Sequence, residues 1–180
     1  DFLSASAHKF HGPKGVGFLY ASSADFDSYL HGGDQELKKR AGTENLAAIV
    51  GMVAALKEDL NDQVEHYQKL SALKATFLEE IADLDYYLNE SNHQLPYVVN
   101  IGFPGQKNDL LLLRLDLEGI SISTGSACTA GIVQTSHVLE AFYGPDSPRL
   151  KESVRISLSP LNTEEELKQL AQTLKNIIGD

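Results

Sequence analysis

The stretch Val154-Arg-Ile-Ser-Leu158, followed closely by Thr163-Glu-Glu-Glu166, decides the fold of this chain. Apolar residues alternate in the first segment, which predicts a strand with one apolar face and one polar face that carries Arg155. A threonine three residues before a glutamate is a capping box, so Thr163 and Glu166 predict a helix start. Leucines and isoleucines at helical spacing follow that start. A half-buried strand that leads into an amphipathic helix predicts an α/β layer, with helices packed on a small sheet.

The remaining apolar patterns extend the same architecture in both directions. Two strands around a turn are predicted at 2–20, further strands at 86–88, 97–103 and 120–122, and helices at 110–117 and 137–142. Helical apolar spacing also runs from Leu46 to Leu84, and Asn61-Asp62 is its weakest point. We therefore expect one long helix bent at that point, or two helices in sequence. The same point predicts a boundary between domains 1–61 and 62–180.

Small polar residues precede three of the predicted helices and are candidates to cap them. We expect Thr43 or Asn45 to cap the long helix, Asn108 or Asp109 to cap the helix at 110–117, and Ser136 to cap the helix at 137–142.

Composition and charge exclude several classes of function. The chain has 180 residues, and 42% of them are hydrophobic, as in an ordinary globular protein. A net charge of −10 argues against direct binding to nucleic acid or to anionic membranes. No apolar run is long enough to span a bilayer, and the first residues lack the features of a signal peptide. The single cysteine fits a reducing compartment, so we expect a cytoplasmic protein.

That single cysteine, Cys128, lies between Gly125 and Gly131 in a run of small residues. Such a run predicts a mobile, poorly ordered loop, where a thiol can meet solvent and ionise as a nucleophile must. Free cysteine is also a small hydrophobe that is often buried, so the residues alone leave both interpretations open.

Three other positions carry candidate chemistry beside a simpler interpretation. The polar stretch around Lys9 is typical of a solvated loop, and His8 and His11 lack the carboxylate cluster that a metal site needs, so we expect no metal. Thr43 follows Gly42 at a helix start, where it caps the helix or helps to hold an anion. We expect Arg155 either to form a surface salt bridge or to bind a carboxylate through the parallel N–H donors of its planar guanidinium group.

Taken together, these stretches resemble cysteine desulfurases of the NifS/IscS type, in the class V aminotransferase group of pyridoxal-phosphate enzymes. The similar motifs, in the family's order, are Ser6-Ala-His-Lys9-Phe-His-Gly-Pro-Lys-Gly15, Gly32-Gly-Asp-Gln-Glu36 with Arg40-Ala-Gly-Thr43-Glu-Asn45, Ser123-Thr-Gly-Ser-Ala-Cys128-Thr-Ala-Gly131, Ser136-His-Val-Leu139 and Val154-Arg-Ile-Ser157. The resemblance implies the C-terminal part of a fold type I enzyme. Residues 1–61 would end the large cofactor domain, and residues 62–180 would form the complete small α/β domain.

The resemblance also implies a role for each matched residue. Lys9 would form the Schiff base with pyridoxal phosphate and move protons, and Ser6 and His8 would help to hold the phosphate. Thr43 would reach the phosphate of a neighbouring subunit, which implies a homodimer. Arg155 would bind the carboxylate of L-cysteine. The thiol of Cys128 would then take the sulfur as a persulfide and release L-alanine.

The implied acceptor of the sulfur is an iron–sulfur scaffold protein or a tRNA-thiolation enzyme. The family is about twice as long as this chain, so we expect the histidine that stacks on the cofactor ring and the aspartate that pairs with the pyridine nitrogen to precede Asp1. Two alternatives remain open: a related pyridoxal-phosphate lyase or aminotransferase in which Cys128 is incidental, and a non-catalytic fragment that binds partners.

Overall fold

In a computed structural model, which describes residues 1–91, 93–125 and 135–179, the chain divides into two compact units. The first is Asp1–Val64 and the second is Glu65–Asp180. Whether they correspond to a large-domain remnant and a small domain stays a prediction. Helix α1, Leu46–Glu80, runs through Asn61 and Asp62 as one element, so the single-helix alternative is correct.

The first unit contains a two-stranded ribbon and the first part of α1. Strands β1 (Phe2–Ser6) and β2 (Gly17–Ala21) pair antiparallel, as the pattern at 2–20 predicts. A 3₁₀ turn at Ala7–Lys9 follows β1 directly. The ribbon is closely packed at Gly17, because a Cβ there would lie 2.4 Å from the carbonyl oxygen of Ala5.

The second unit contains a three-stranded antiparallel sheet in the order β3-β4-β5. These strands are Tyr87–Leu88, Val98–Gly102 and Ser153–Ser157. Its helices are the end of α1 and four others: α2 (Asn108–Leu117), α3 (His137–Tyr143), α4 (Arg149–Glu152) and α5 (Glu164–Gly179). This is the α/β layer that the sequence predicts, although α4 was not expected.

The core lies on one face of this sheet. Val99 and Ile101 of β4 and Val154 and Ile156 of β5 are buried there, as their alternation requires. The helices α1, α2 and α5 cover that face with buried apolar side chains, and Ile81, just after α1, joins them: Leu70, Leu73, Phe77, Leu111, Leu115, Leu167, Leu170, Ala171, Leu174 and Ile177. The opposite face of the sheet is therefore free to carry polar residues.

The predicted caps of α3 and α5 are present, whereas two other expectations are wrong. Ser136 caps α3 by accepting a hydrogen bond from the backbone of Leu139. The capping box of α5 is complete, because Thr163 and Glu166 exchange hydrogen bonds of 3.2 and 3.0 Å. At α2, however, Lys107 occupies the N-cap position and makes no side-chain cap. The segment 120–122 forms no strand, and an isolated bridge from Ser123 to Arg155 lies directly after it.

Asn108 fails to cap α2 because its side chain is used elsewhere. Its amide donates to the carbonyl oxygens of Leu150 and Ser153, at 3.4 and 3.0 Å. These bonds fix the start of β5 against the start of α2. An asparagine side chain can cap a helix or bond to a distant part of the backbone, and the local sequence pattern does not distinguish the two roles.

Candidate functional site

A cleft of about 540 Å³ lies within the second unit, on the polar face of the sheet. Strands β4 and β5 contribute Asn100 and Arg155 to it, and α3 closes it with an apolar wall that includes Leu139 and Phe142. The cleft therefore combines the cationic side chain of Arg155 with amides on one side and apolar groups on the other, and its one carboxylate, Glu90, is paired with Lys74. Such a lining suits a small amphipathic ligand that carries a negative group.

Arg155 is held firmly by its backbone. Its N–H donates to the carbonyl oxygen of Ser123 at 2.7 Å, and its own carbonyl oxygen accepts from the N–H of Ser123 at 3.1 Å. On the other side, Arg155 is paired with Asn100 in the register of β4 and β5. Since the backbone groups of Arg155 point to Ser123, the pair with Asn100 is the non-hydrogen-bonded kind, in which side chains come closest.

The guanidinium group of Arg155 lacks the partners that its surroundings would demand. Its Nε is buried without a hydrogen-bond partner, and within the described residues the side chain makes no ion pair. A buried unpaired donor on a cation is costly, so a ligand that supplies an acceptor would be favoured. A carboxylate fits this requirement best, because its two oxygens match the planar fork of donors.

A hydrogen-bonded network occupies the polar face of the sheet beside Arg155. Nη1 of Arg149 donates to Oδ1 of Asn89 at 2.8 Å. Nδ2 of Asn89 in turn donates to Oδ1 of Asn100 and to Oγ of Ser153, both at 2.8 Å. The network thus links the first residue of α4 to the cross-strand neighbour of Arg155.

Aromatic rings hold Arg149 in place. Its guanidinium carbon lies 4.0 Å from the ring centroid of Tyr87 and 4.5 Å from that of Tyr143. The Tyr87 hydroxyl donates to Glu152 at 3.0 Å, and burial raises the pKa of Tyr87 to about 12. The ring of Tyr87 occupies the space above Gly102, where a Cβ would lie 2.3 Å from a ring carbon.

The first unit contains the predicted cofactor residues Ser6, His8 and Lys9 at the end of β1 and in the following 3₁₀ turn. All three are exposed, whereas Ala7 between them is fully buried. The carbonyl oxygen of Ala7 accepts from the N–H of Gly12 at 2.8 Å, and a Cβ on Gly12 would come within 2.9 Å of Ala7. The buried alanine therefore fixes a tight loop that presents the three polar side chains together.

Lys9 makes no hydrogen bond or ion pair with any residue that the structure describes. Thr43 is also exposed, in the same unit, and follows Gly42, whose φ of 109° suits glycine. Of the two cap candidates for α1, Asn45 is the cap, because its Oδ1 accepts from the N–H of Ala48 at 3.2 Å. The hydroxyl of Thr43 is thus left for another partner.

Cys128 lies outside the described residues. The mobility predicted for its loop concerns the same undescribed segment and stays a prediction. The described residues on either side of that segment are informative, however. Gly125 and Ser136 both line the cleft that contains Arg155.

Over 1–91, 93–125 and 135–179, no three histidines, cysteines, aspartates or glutamates come together as metal ligands would. In the same ranges, no helix has both the length and the apolar character that crossing a membrane requires.

The chain belongs to the aminotransferase class-V family, whose model matches residues 1–170. Within it, the chain is 44% identical to the IscS 1 protein of Bacillus subtilis (strain 168), over 99% of this chain and 48% of that protein. It is 40% identical to the cysteine desulfurase IscS of Dictyoglomus turgidum (strain DSM 6724 / Z-1310), over 99% of this chain and 46% of that protein. A solved NifS-like protein superposes with a TM-score of 0.85 at 31% identity, over 99% of this chain and 46% of its own.

The family resemblance and the α/β fold expected from the sequence are therefore confirmed. The chain spans about half the length of the curated relatives that it matches. Relatives in this family depend on pyridoxal phosphate. The group at the end of β1 suits that cofactor, since it offers an unpaired amine for an aldehyde and a hydroxyl and an imidazole for a phosphate.

Sequence reasoning found Arg155 but missed the residues around it. Asn89, Asn100 and Arg149 are separated by up to 60 positions in the chain, and the hydrogen bonds among them form only when β3, β4 and α4 meet. The one local signal was Pro148, which precedes Arg149 and is typical of a helix start.

Proposed function

We propose that the protein containing this chain is a cytoplasmic cysteine desulfurase, which takes sulfur from L-cysteine and carries it as a persulfide on Cys128. The observation that carries this proposal is the unpartnered Arg155 in a cleft whose wall includes Gly125 and Ser136, on either side of the cysteine segment. One site would thus combine a carboxylate receptor, Arg155, with a thiol, Cys128. An amino acid with a sulfur atom at its far end fits both.

The cofactor in this proposal is pyridoxal phosphate, which supplies an aldehyde for amines and a ring that accepts electrons from the substrate carbon. Lys9 would hold the aldehyde through its amine and afterwards move a proton to and from the substrate. Ser6 and His8 would donate hydrogen bonds to the phosphate. Thr43, whose hydroxyl caps nothing, would reach the phosphate in a neighbouring subunit, so the active protein would be a homodimer.

Arg155 would fix the substrate by its carboxylate, through charge-assisted hydrogen bonds. The thiolate of Cys128 would then attack the sulfur of L-cysteine. A sulfur–sulfur bond forms, the carbon–sulfur bond breaks, and its electron pair stays with the carbon. Protonation of that carbon gives L-alanine, and the sulfur remains on Cys128 until an acceptor takes it.

The acceptor would be an iron–sulfur scaffold protein or a tRNA-thiolation enzyme, because a persulfide needs a second protein to receive it. The net charge of −10 makes direct contact with nucleic acid unfavourable. Delivery of sulfur to tRNA would therefore pass through a protein partner.

The decisive experiment replaces Cys128 by serine in the full-length protein. We expect sulfide and persulfide formation from L-cysteine to fall by at least about 1,000-fold, because serine cannot carry the sulfur. Alkylation of the unsubstituted enzyme during turnover, followed by mass spectrometry, should find one extra sulfur atom on Cys128. Ser126→Ala, a change of similar size in the same segment, is the control and should retain turnover.

Other outcomes would favour the alternatives. Full desulfuration by Cys128→Ser, with no modification at that residue, would indicate a lyase or an aminotransferase. Absence of turnover by the unsubstituted full-length protein, despite bound cofactor, would favour a non-catalytic partner-binding module.

A further inference from the structure

The side chain of Asn100 is the cleft feature that the proposed function leaves unused. Asn100 lines the cleft next to Arg155, and the two residues face each other across β4 and β5. A side-chain amide has one accepting end and one donating end, so its value to a carboxylate depends on which end faces the cleft.

The network beside the cleft determines that orientation. Arginine can only donate hydrogen bonds, so the atom of Asn89 that contacts Arg149 must be the oxygen. The nitrogen of Asn89 is then directed at Asn100 and Ser153. Because that nitrogen can only donate, the atom of Asn100 that meets it must again be the oxygen. The nitrogen of Asn100 is left over, and it makes no hydrogen bond within the described residues.

We propose that Asn100 is a second receptor for the substrate carboxylate, and that Arg149 is the positioning residue that turns its N–H group toward the ligand. This inference rests on the proposed function, in which Arg155 binds that carboxylate. One carboxylate has two oxygens with several acceptor positions, so it accepts from a guanidinium and an amide together.

The chain of hydrogen bonds from Arg149 through Asn89 to Asn100, called the relay from here on, also explains why Nε of Arg155 stays without a hydrogen-bond partner before a ligand arrives. Were the amide of Asn100 reversed, its oxygen would face the cleft and offer Arg155 an internal acceptor. Asn89 already occupies that oxygen, at 2.8 Å. The relay thus leaves two donors, Nε of Arg155 and Nδ2 of Asn100, without a hydrogen-bond acceptor among the described residues.

The substrate class follows from this pair of donors. A planar, singly charged carboxylate attached to a small aliphatic chain satisfies both, with its chain along the apolar wall formed by α3. An amine that lacks the carboxylate satisfies neither. The site should therefore distinguish L-cysteine from cysteamine, which differ only in that group.

The test measures binding of both compounds to the full-length protein with its cofactor, in a Cys128→Ser background that prevents turnover. Changes in cofactor absorbance give each dissociation constant, and the ratio of the two constants is the carboxylate preference. Asn100→Asp replaces the donor with a charged acceptor of the same size. We expect the preference to fall about 10- to 100-fold, as for loss of a hydrogen bond to a charged group. The affinity for cysteamine should stay the same.

Arg149 is tested by two substitutions that differ in one property. Lysine also only donates, so Arg149→Lys should keep the orientation of Asn89 and retain the preference. Glutamine can donate or accept, so Arg149→Gln should release the relay and reduce the preference about 3- to 10-fold. A purely structural role of Arg149 would weaken binding of cysteamine as much as that of L-cysteine.

Controls separate failure of this inference from failure of the proposed function. Asn176→Asp adds the same charge on α5, at an exposed residue outside the cleft lining, and should change nothing. If the unsubstituted cleft shows no preference, or if Arg155→Gln retains it, the carboxylate site itself is wrong. If the preference depends on Arg155 but survives Asn100→Asp, only the role of Asn100 is overturned. Should Asn100→Asp fail to fold, Asn100→Leu removes the donor without adding charge, and the same loss of preference is required.

Discussion

The two units of this chain differ in where they keep their apolar side chains. In the second unit, buried leucines, isoleucines, valines and phenylalanines form one continuous cluster. In the first unit, the buried hydrophobic residues are only Ala7 and Met52 within the described part of the chain. Larger apolar side chains there are exposed: Phe2, Leu3, Leu19, Tyr20, Tyr29, Leu30, Leu37, Leu46, Val50, Val53, Leu60 and Val64.

This difference shows that the residues of the second unit suffice to form a buried core, whereas those of the first unit do not. The second unit forms a buried core from its own residues, although it too exposes some apolar side chains, and its cleft lies wholly inside it. The first unit presents an apolar surface of a kind that proteins rarely leave uncovered. Relatives about twice as long carry further chain that would serve as the cover. We therefore expect the loop around Lys9 to be less stable in this chain than the Arg155 cleft.

The largest expected effect compares two leucines on the same helix, α1. Leu70 is fully buried in the second unit, and Leu60 is 57% exposed in the first. Leu70→Ala should lower the free energy of unfolding by about 2–5 kcal/mol, because it opens a cavity in the core. Leu60→Ala should change it by less than about 0.5 kcal/mol. Urea unfolding of the 180-residue chain, followed by circular dichroism, measures both.

The same pair sharpens the comparison in the full-length protein. If further chain covers the first unit, Leu60→Ala should become clearly destabilising there while Leu70→Ala keeps its cost. Equal costs for the two substitutions in the 180-residue chain would contradict the division drawn above.

A smaller effect is expected from the helix caps of the two units. Thr163→Ala should cost about 1 kcal/mol of global stability, since α5 is anchored in the core and its capping box is complete. Thr163→Ser keeps the hydroxyl and is the matched control. Asn45→Ala should fray only the first turn of α1, so amide exchange near Ala48 should rise while the urea midpoint stays unchanged. A shifted midpoint for Asn45→Ala would show that the first unit unfolds together with the second.

The smallest effect is a pH dependence at the start of α5. Hydrogen bonds from Asn162 and from the backbone of Thr163 lower the pKa of Glu166 from its usual 4.5. A lowered pKa contributes stability that is present above the unfolded value and is lost as pH falls through the folded value. The urea midpoint should therefore decline between roughly pH 5 and pH 2, and Glu166→Gln should remove part of that slope. Asn162→Ala should reduce the slope as well; an unchanged slope in both variants would contradict this assignment.

Local pattern was sufficient for some parts of this structure and not for others. The alternation at Val154–Leu158 and the capping box at Thr163 were predictable, because both are determined by residues close in sequence. Asn108 was assigned to a cap, but it binds the carbonyl oxygens of Leu150 and Ser153. The hydrogen-bond partner of such a side chain depends on tertiary contacts, which a local sequence pattern does not contain.

Two further features could not be anticipated, for the same reason. Glu36, Leu37 and Lys38 all have positive φ, between 50° and 65°, although residues with a Cβ rarely adopt that conformation. The sequence predicted that Arg155 grips a carboxylate or forms a salt bridge, and only the structure reveals its unpartnered Nε. The proposed roles of Lys9, Ser6, His8, Thr43 and Cys128 stay predictions.

The arrangement of the cleft depends on Gly102, so the cleft is sensitive to substitution of this residue. The missing side chain leaves room for the ring of Tyr87, which supports Arg149, and Arg149 orients the amides of Asn89 and Asn100. An alanine at position 102 would look like a harmless change in the middle of a strand. It would nevertheless displace the ring, and the disturbance would pass through two side chains to the proposed carboxylate receptor. In a natural variant of this protein, one added methyl group at a residue outside the cleft lining would therefore change which ligands the proposed site accepts.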